Sequence, residues 1–422
     1  MEKDELYKLI SEGGISISID TRTIKSDDVY IGLKGDVFDG NAYAKDALDK
    51  GARLAIIDNA EYKADERCIV VENSYDTLKQ LATMHRKGFS IPILVIGGSN
   101  GKTTTKELVT AVLARKYAVH TTRGNLNNEI GVPLTILAMS KDAEIAVIEI
   151  GANHPGEHTT LMNVVCPTHV LVTNNGKDHL EGFGSIAGVR KANKELFDCA
   201  RPLKAKALVN KALPDLVEDS DGLDRILYPK DSVESMSGLQ AGVSYDGTEI
   251  QSQLFGSFNE ANILAAIAVG QQFEVPMSDI ASAIAEYQPT LKRSQIIEKE
   301  GYTLVMDCYN ANPTSMELSL KDFFDTTEAG TRVMVVGDMF EVGETEQQAH
   351  KETLELIEKN KDAHDYVMCV GPRFSLHQAN FPFHFFPTPQ EAKPFLESLS
   401  LNGKTVFLKA SRGIRLEEIL SQ

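Results

Sequence analysis

The sequence predicts an α/β fold in three domains. Its 422 residues are more than one hydrophobic core keeps compact. Short apolar runs of strand type alternate with helical patterns along the chain, the order that builds mostly parallel sheets. That order restarts twice. We therefore divide the chain into a small N-terminal α/β domain at 1–88, a central domain around a mostly parallel sheet at 89–290, and a C-terminal Rossmann-like α/β domain at 291–422.

In the first domain, strand candidates at 15–19, 29–33 and 54–57 accompany a helical pattern at 42–50. The central domain opens with a strand at 93–96, a glycine loop, and a helix over 103–115. Buried-type strands follow at 144–150, 169–173 and 207–210. Gly182-Phe183-Gly184 punctuates the chain ahead of a helix running through 197. The alanine-rich segment 261–270 is apolar nearly all round, which predicts a buried helix. After Gln288-Pro289 come a strand at 304–306, a helix after Pro313, a strand at 332–336, a helix at 347–359, and strands at 366–370 and 405–408.

A composition of 42% hydrophobic and 24% charged residues is that of a soluble globular protein and excludes general disorder. The net charge of −17 argues against nucleic acid or anionic membrane as partner, since both reward a basic surface. An anionic ligand would need cations or helix N-termini gathered locally. Five cysteines, Cys68, Cys166, Cys199, Cys308 and Cys369, lack any Cys-x-x-Cys spacing and read as reduced core filler. Residues 1–9 mix acids and bases without an apolar signal core, and apolar runs such as 263–269 are too short to span a bilayer; the expected location is the cytoplasm.

Gly98-Ser99-Asn100-Gly101-Lys102-Thr103-Thr104 puts small residues where backbone amides close around phosphate oxygens. Lys102 stands where it can neutralise β and γ charge, and the Thr103 hydroxyl where magnesium takes a ligand. The helix that follows adds its N-terminal dipole. The common motif begins with glycine where Ile96 stands, so this is a shorter variant. A surface turn bearing a lysine is the plainer reading. The buried-type strand before and the helix after it favour a P-loop ATPase-type domain.

Further stretches narrow the reading. Residues 98–106 read GSNGKTTTK, 124–133 GNLNNEIGVP, 148–154 IEIGANH and 179–185 HLEGFGS. In this order they resemble the Mur ligase family, and most closely its D-alanyl-D-alanine-adding branch. The resemblance continues through Asp20-Thr21-Arg22 and Lys34-Gly35-Asp36 in the first domain, and through Tyr309-Asn310-Ala311-Asn312-Pro313, Gly337-Asp338-Met339 and residues 409–412 in the last.

The resemblance implies an ATP- and magnesium-dependent amide ligase acting on UDP-N-acetylmuramoyl-tripeptide and D-alanyl-D-alanine through an acyl phosphate, as a monomer. It gives Lys102, Glu149, His179 and Arg293 catalytic roles. Glu149 ends an apolar strand, at the sheet edge where a carboxylate can reach a metal; by resemblance Glu149 and His179 hold a second magnesium. Singly, one reads equally well as a solvated acid and the other as a loop histidine. Asn259 and Asn262 resemble adenine-side asparagines, although Phe258 replaces the usual histidine; capping of the following helix is the alternative. Arg293 and Asp307 resemble third-domain residues that close on the γ-phosphate and the ribose. Asp20, Thr21, Arg22, Lys34, Gly35 and Asp36 resemble the uridine-diphosphate site, and Asn127, Asn128 and Asn310 substrate contacts. Asn127 and Asn128 could equally close turns.

One position departs from the pattern. Where the family carries a carbamate-forming lysine, Asn193 offers a single neutral oxygen, and magnesium prefers hard anionic ligands. Asp178, beside His179, is the expected replacement at the second metal. His154-Pro155-Gly156-Glu157-His158 mimics an inverted zinc-protease motif, but its Pro-Gly is wrong for the required helix. The acidic stretch 341–346 reads as a solvated helix start. Two other functions stand beside the main one: a related ligase adding a different amino acid, and a nucleotide-binding module whose turnover is impaired by Asn193.

Overall fold

The computed structural model describes residues 3–11, 14, 16–290 and 292–420. Three sheets organise them. The first is parallel and four-stranded, β1 (Ile17–Ser18), β2 (Val29–Ile31), β3 (Leu54–Ile57) and β4 (Cys68–Val70) lying side by side in chain order. Residue 15, where the first predicted strand begins, lies outside the described residues. The helix Ser74–Lys87, capped by Asn73, leads into the next sheet.

The central sheet has six parallel strands: β5 (Ile93–Gly97), β6 (Val119–Thr121), β7 (Ile145–Glu149), β8 (His169–Val172), β9 (Lys206–Asn210) and β10 (Asp224–Tyr228), in the order β10-β9-β8-β5-β7-β6. Alternate residues of β5 point to opposite faces, and both faces are closed. Ile93 and Val95 sit in one core, Leu94 and Ile96 in another, all fully buried. β5 lies between the parallel strands β7 and β8, so the loops that leave all three meet at one carboxyl edge. The predicted buried helix is Glu260–Gln272; Gly270 packs so tightly that a Cβ there would stand 2.7 Å from Val112 Cγ1.

The third sheet differs from the doubly wound pattern at one side. Its nine strands run β11 (Val233–Ser235), β12 (Gln240–Tyr245), β13 (Thr248–Phe255), β14 (Gln295–Lys299), β15 (Tyr302–Asp307), β19 (Lys404–Lys409), β16 (Arg332–Gly337), β17 (Tyr366–Val370) and β18 (His384–Phe386). From β15 to β18 the pairing is parallel; from β11 to β15 it is antiparallel. β13 and β14 meet at a single register pair, Leu254 opposite Gln295. Phe255, at the end of β13, packs edge-on against Phe323 with ring centroids 6.5 Å apart and lies 5.9 Å from Phe407. Phe323 is fully buried at this seam. Phe323→Ala should therefore lower unfolding stability by about 3–5 kcal/mol, read as an earlier urea midpoint.

Cys68, Cys308 and Cys369 are buried filler as expected, while Cys166 and Cys199 are partly exposed; all are free thiols. Among the described residues, no helix is long and apolar enough to cross a membrane.

Candidate functional site

The glycine loop lies between β5 and the helix Lys102–Leu113. Its bends need glycine. Gly98 has φ +114° and Gly101 φ +82°, and a Cβ on either would stand 2.4 Å from an oxygen, of Thr173 and Asn262 respectively. Lys102 Nζ folds back to donate to the carbonyls of Gly98 at 2.7 Å and Ser99 at 2.8 Å, with Asp178 Oδ2 at 3.8 Å.

Glu149 ends β7 with no exposed surface. Its Oε1 accepts from Thr103 Oγ1 at 3.0 Å and from Asn127 Nδ2 at 2.7 Å. Its Oε2 is buried with no hydrogen-bond partner. An unpaired carboxylate oxygen in such a place is costly and points to a ligand. Asn127 thus does more than close a turn. Asn128 closes a turn, its Oδ1 accepting from the Ile130 and Gly131 amides at 3.2 and 2.9 Å, and it also lines the cleft.

Past β8, the chain returns to the loop. Asn174 exchanges hydrogen bonds with Asn100, and Asp178 and His179 face the cleft. His179 Nδ1 lies 2.6 Å from Glu341 Oε2, and its Nε2 3.7 Å from Asp178 Oδ2. Burial works against charge on this imidazole, but the Glu341 hydrogen bond and Asp178 outweigh it and raise its pKa above the ordinary value. Glu341 is lowered in turn by His179. The stretch 341–346 leads into a helix and Glu341 is exposed, as read from the sequence, but its carboxylate also reaches His179. The helix begins at Glu346, and Glu341 is an interdomain contact whose significance periodicity could not show.

Asn259 and Asn262 do not cap their helix. Asn262 Nδ2 donates to Asn259 Oδ1 at 2.7 Å, and its Oδ1 accepts from Thr105 Oγ1 at 3.0 Å, tying the helix Glu260–Gln272 to the phosphate loop's helix. Arg293 stacks on Tyr309, 3.7 Å from the ring centroid, and its buried Nε has no hydrogen-bond partner. Asp307, at the end of β15, is held by Lys409, a buried ammonium that motif reading left without a role. Asn312 was missed too. Its Nδ2 reaches Asn100 Oδ1 at 2.8 Å and Asp178 Oδ1 at 3.1 Å, while its Oδ1 caps the helix Pro313–Thr326.

One cleft of about 480 Å³ gathers Ser99, Asn100, Gly101, Lys102, Thr103, Thr104, Asn127, Asn128, Glu149, Asp178, His179, Asn259, Asn262, Arg293, Asp307 and Asn310. Gly98 is the loop's first bend, behind the lining residues. The first-domain candidates do not line this cleft. Asp20, Thr21 and Arg22 follow β1, and Lys34, Gly35 and Asp36 follow β2, at adjacent carboxyl edges. There Arg22 pairs with Asp20 at 2.6 Å and holds its exposed carboxyl down at about 2. The backbones of Lys34 and Asp39 pair antiparallel in an isolated bridge, and the Gly35 amide donates to the Phe38 carbonyl at 2.9 Å.

Asn193 also lies outside the cleft lining, its Nδ2 2.8 Å from Asn175 Oδ1 and 3.4 Å from Ser99 Oγ. Pro155 and Gly156 precede a helix rather than lie within it, and His158 is buried against the Ala192 carbonyl at 2.9 Å. No group of three or more His, Cys, Asp or Glu side chains suited to a metal occurs among the described residues. For magnesium, which keeps several waters, Thr103 Oγ1 and the free Glu149 Oε2 suffice as hard oxygen donors.

Comparison with known proteins covers the same span. Residues 16–88 match the model described as Mur ligase family, catalytic domain; 96–270 match the Mur ligase middle domain; and 292–412 match the Mur ligase, glutamate ligase domain. The UDP-N-acetylmuramoyl-tripeptide–D-alanyl-D-alanine ligase of Bacillus subtilis is 30% identical, over 96% of this chain and 92% of the relative. Among solved structures, MurF from Acinetobacter baumannii superposes with a TM-score of 0.85 at 28% identity, over 96% of this chain and 92% of the other. MurF ligase from Thermotoga maritima in complex with ADP gives 0.84 at 26% identity, over 96% of both chains.

Proposed function

The chain belongs to the Mur ligase family, and from that membership we propose that it joins D-alanyl-D-alanine to UDP-N-acetylmuramoyl-tripeptide at the expense of ATP, giving the pentapeptide precursor of peptidoglycan. It is an ATP-dependent carbon–nitrogen ligase. One arrangement carries the reading: Lys102, Thr103 and the unpartnered Glu149 Oε2 face Arg293 across a single cleft. Such a site is built to gather phosphate oxygens and neutralise them.

In the proposed reaction the tripeptide's terminal carboxylate attacks the γ-phosphorus and ADP leaves. The amine of D-alanyl-D-alanine then adds to the acyl carbon, the nitrogen loses a proton, and the tetrahedral intermediate expels phosphate. Lys102 exchanges its loop carbonyls for phosphate oxygens, and Arg293, held flat on Tyr309, brings a second positive charge from the third domain. Closing the cleft keeps water from the acyl phosphate. Asp20, Thr21, Arg22, Lys34, Gly35 and Asp36 bind the uridine diphosphate, and Asn127, Asn128 and Asn310 the substrate's peptide side. Asp307 meets the ribose, and Asn259 and Asn262 the adenine side. Thr103 and Glu149 would hold magnesium, which would supply further neutralisation of phosphate charge. The enzyme works in the cytoplasm as a monomer, without nucleic acid. The test is mass spectrometry of the product from purified UDP-tripeptide, ATP and D-alanyl-D-alanine. ADP binding without any pentapeptide would overturn the reading in favour of a non-turning module, and a product carrying another amino acid would move it within the family.

Asp178 is our proposal for the acid that reaches a second magnesium, directly or through water, and partly replaces the carboxylate-like group missing at Asn193, whose Nδ2 is held by Asn175 and Ser99. Asp178→Ala should raise the magnesium concentration for half-maximal rate by at least about tenfold, and Asn193→Lys should shift it as well. Unchanged half-saturation in both variants would remove Asp178 from the metal.

A further inference from the structure

The segment carrying Asp178 and His179 belongs to the central domain, yet the third domain grips it residue by residue. The Lys177 amide donates to Thr314 Oγ1 at 3.0 Å, Asp178 Oδ1 accepts from Asn312 Nδ2 at 3.1 Å, His179 Nδ1 meets Glu341 Oε2 at 2.6 Å, and the Glu181 amide donates to the Glu341 carbonyl at 3.5 Å. Both members of the central pair have left-handed backbones, His179 at φ +45° and Glu341 at φ +60°. For residues other than glycine that conformation is uncommon and costs energy, and it persists where surrounding contacts over-determine it.

The loop presenting Glu341 is itself tied down. The Met339 amide donates to His350 Nε2 at 3.0 Å, and the Phe340 amide to Ser411 Oγ at 3.0 Å. Such anchoring aims a carboxylate at one imidazole nitrogen. With Nδ1 donating to Glu341, the other nitrogen, Nε2, faces Asp178 and the side of the cleft where Lys102 lies.

We propose that Glu341 is a positioning residue for ligation: a carboxylate delivered by the third domain that selects the His179 tautomer and ring direction, so that the reacting side of the cleft is complete only when that domain is docked. The inference rests on the ligase reading and adds to it a residue and a dependence on docking. A carboxylate behind an active-site histidine is typically worth about 10–100-fold.

The test compares Glu341→Ala with Glu341→Gln, whose amide oxygen still accepts from Nδ1. The readouts are ligation kinetics, ADP affinity, and ring-nitrogen NMR shifts of His179 in ¹⁵N-histidine-labelled protein, assigned with His179→Gln. The alanine variant should lose at least about tenfold in kcat, bind ADP within about threefold of wild type, and show altered His179 ring shifts, while the glutamine variant stays within about fivefold in kcat. Equal losses in both variants, full activity of the alanine variant, or unaltered His179 shifts would each overturn the proposal. The NMR and ADP readouts need no turnover, so a protein that makes no pentapeptide would sink the ligase reading, whereas unaltered His179 shifts in a turning-over enzyme would sink this one alone.

Discussion

Lys102→Ala is expected to lower kcat/KM for ATP by at least about a thousandfold while the protein stays folded. The Lys102 ammonium is largely buried, and its partners are two loop carbonyls and, at longer range, Asp178. No part of the hydrophobic core depends on it. The loop's shape comes instead from Gly98, Gly101 and the hydrogen bonds to Asn174, all of which the substitution leaves in place. Loss therefore falls on the step in which negative charge moves from the γ-phosphoryl group toward ADP. The measurement is steady-state phosphate release with ATP varied, beside a thermal melt of both proteins. A variant within tenfold of wild type would mean that the cation facing the phosphates comes from elsewhere.

Glu149→Gln should give the second large loss, about a hundredfold or more in kcat, with an unusual stability signature. Its carboxylate is wholly buried, accepts two hydrogen bonds on one oxygen and none on the other, and is paired with no cationic side chain among the described residues. A buried charge without a counter-ion opposes folding, so the neutral isostere should melt no lower than wild type in chelator. With magnesium and ATP added, wild type should gain stability and the variant should gain less, because only a ligand that prefers the folded site raises its melting point. Equal gains in both proteins would remove Glu149 from the metal.

Legibility in the sequence followed the range of the interaction. Residues 54–57 and 366–370 coincide with β3 and β17, since a run of buried β-branched and apolar residues carries its own signal. The phosphate loop was equally plain, because strand, glycines, lysine and helix are contiguous. The antiparallel strands β11 to β13 escaped notice. In β13 the inward positions are Ile250, Ser252 and Leu254, and the buried serine, bonded to the Ala241 carbonyl at 2.7 Å, breaks the apolar alternation. Most of the cleft was named from motifs, but its long-range partners were not. Lys409 finds Asp307 from 102 residues away and Asn312 finds Asp178 from 134, separations at which no local pattern announces a partner. Glu341 was hidden differently, inside an acidic stretch whose composition suggests nothing but solvent.

The single-pair seam between β13 and β14 has a mechanical meaning. Among the described residues the adjoining β14–β15 ladder is joined by five register pairs and the β15–β19 ladder by six, whereas this junction has the one pair Leu254 opposite Gln295, with the Phe255 amide donating to the Ser294 carbonyl beside it. A ribbon pinned at one rung resists being pulled apart yet offers little torsional stiffness. A turn of the third domain would accordingly bend at this rung, with β15, β16 and β19 moving together as one stiff plate. Amides along β15 and β19 should then outlast the Phe255 amide in deuterium exchange, the fulcrum being the first part of the sheet to open.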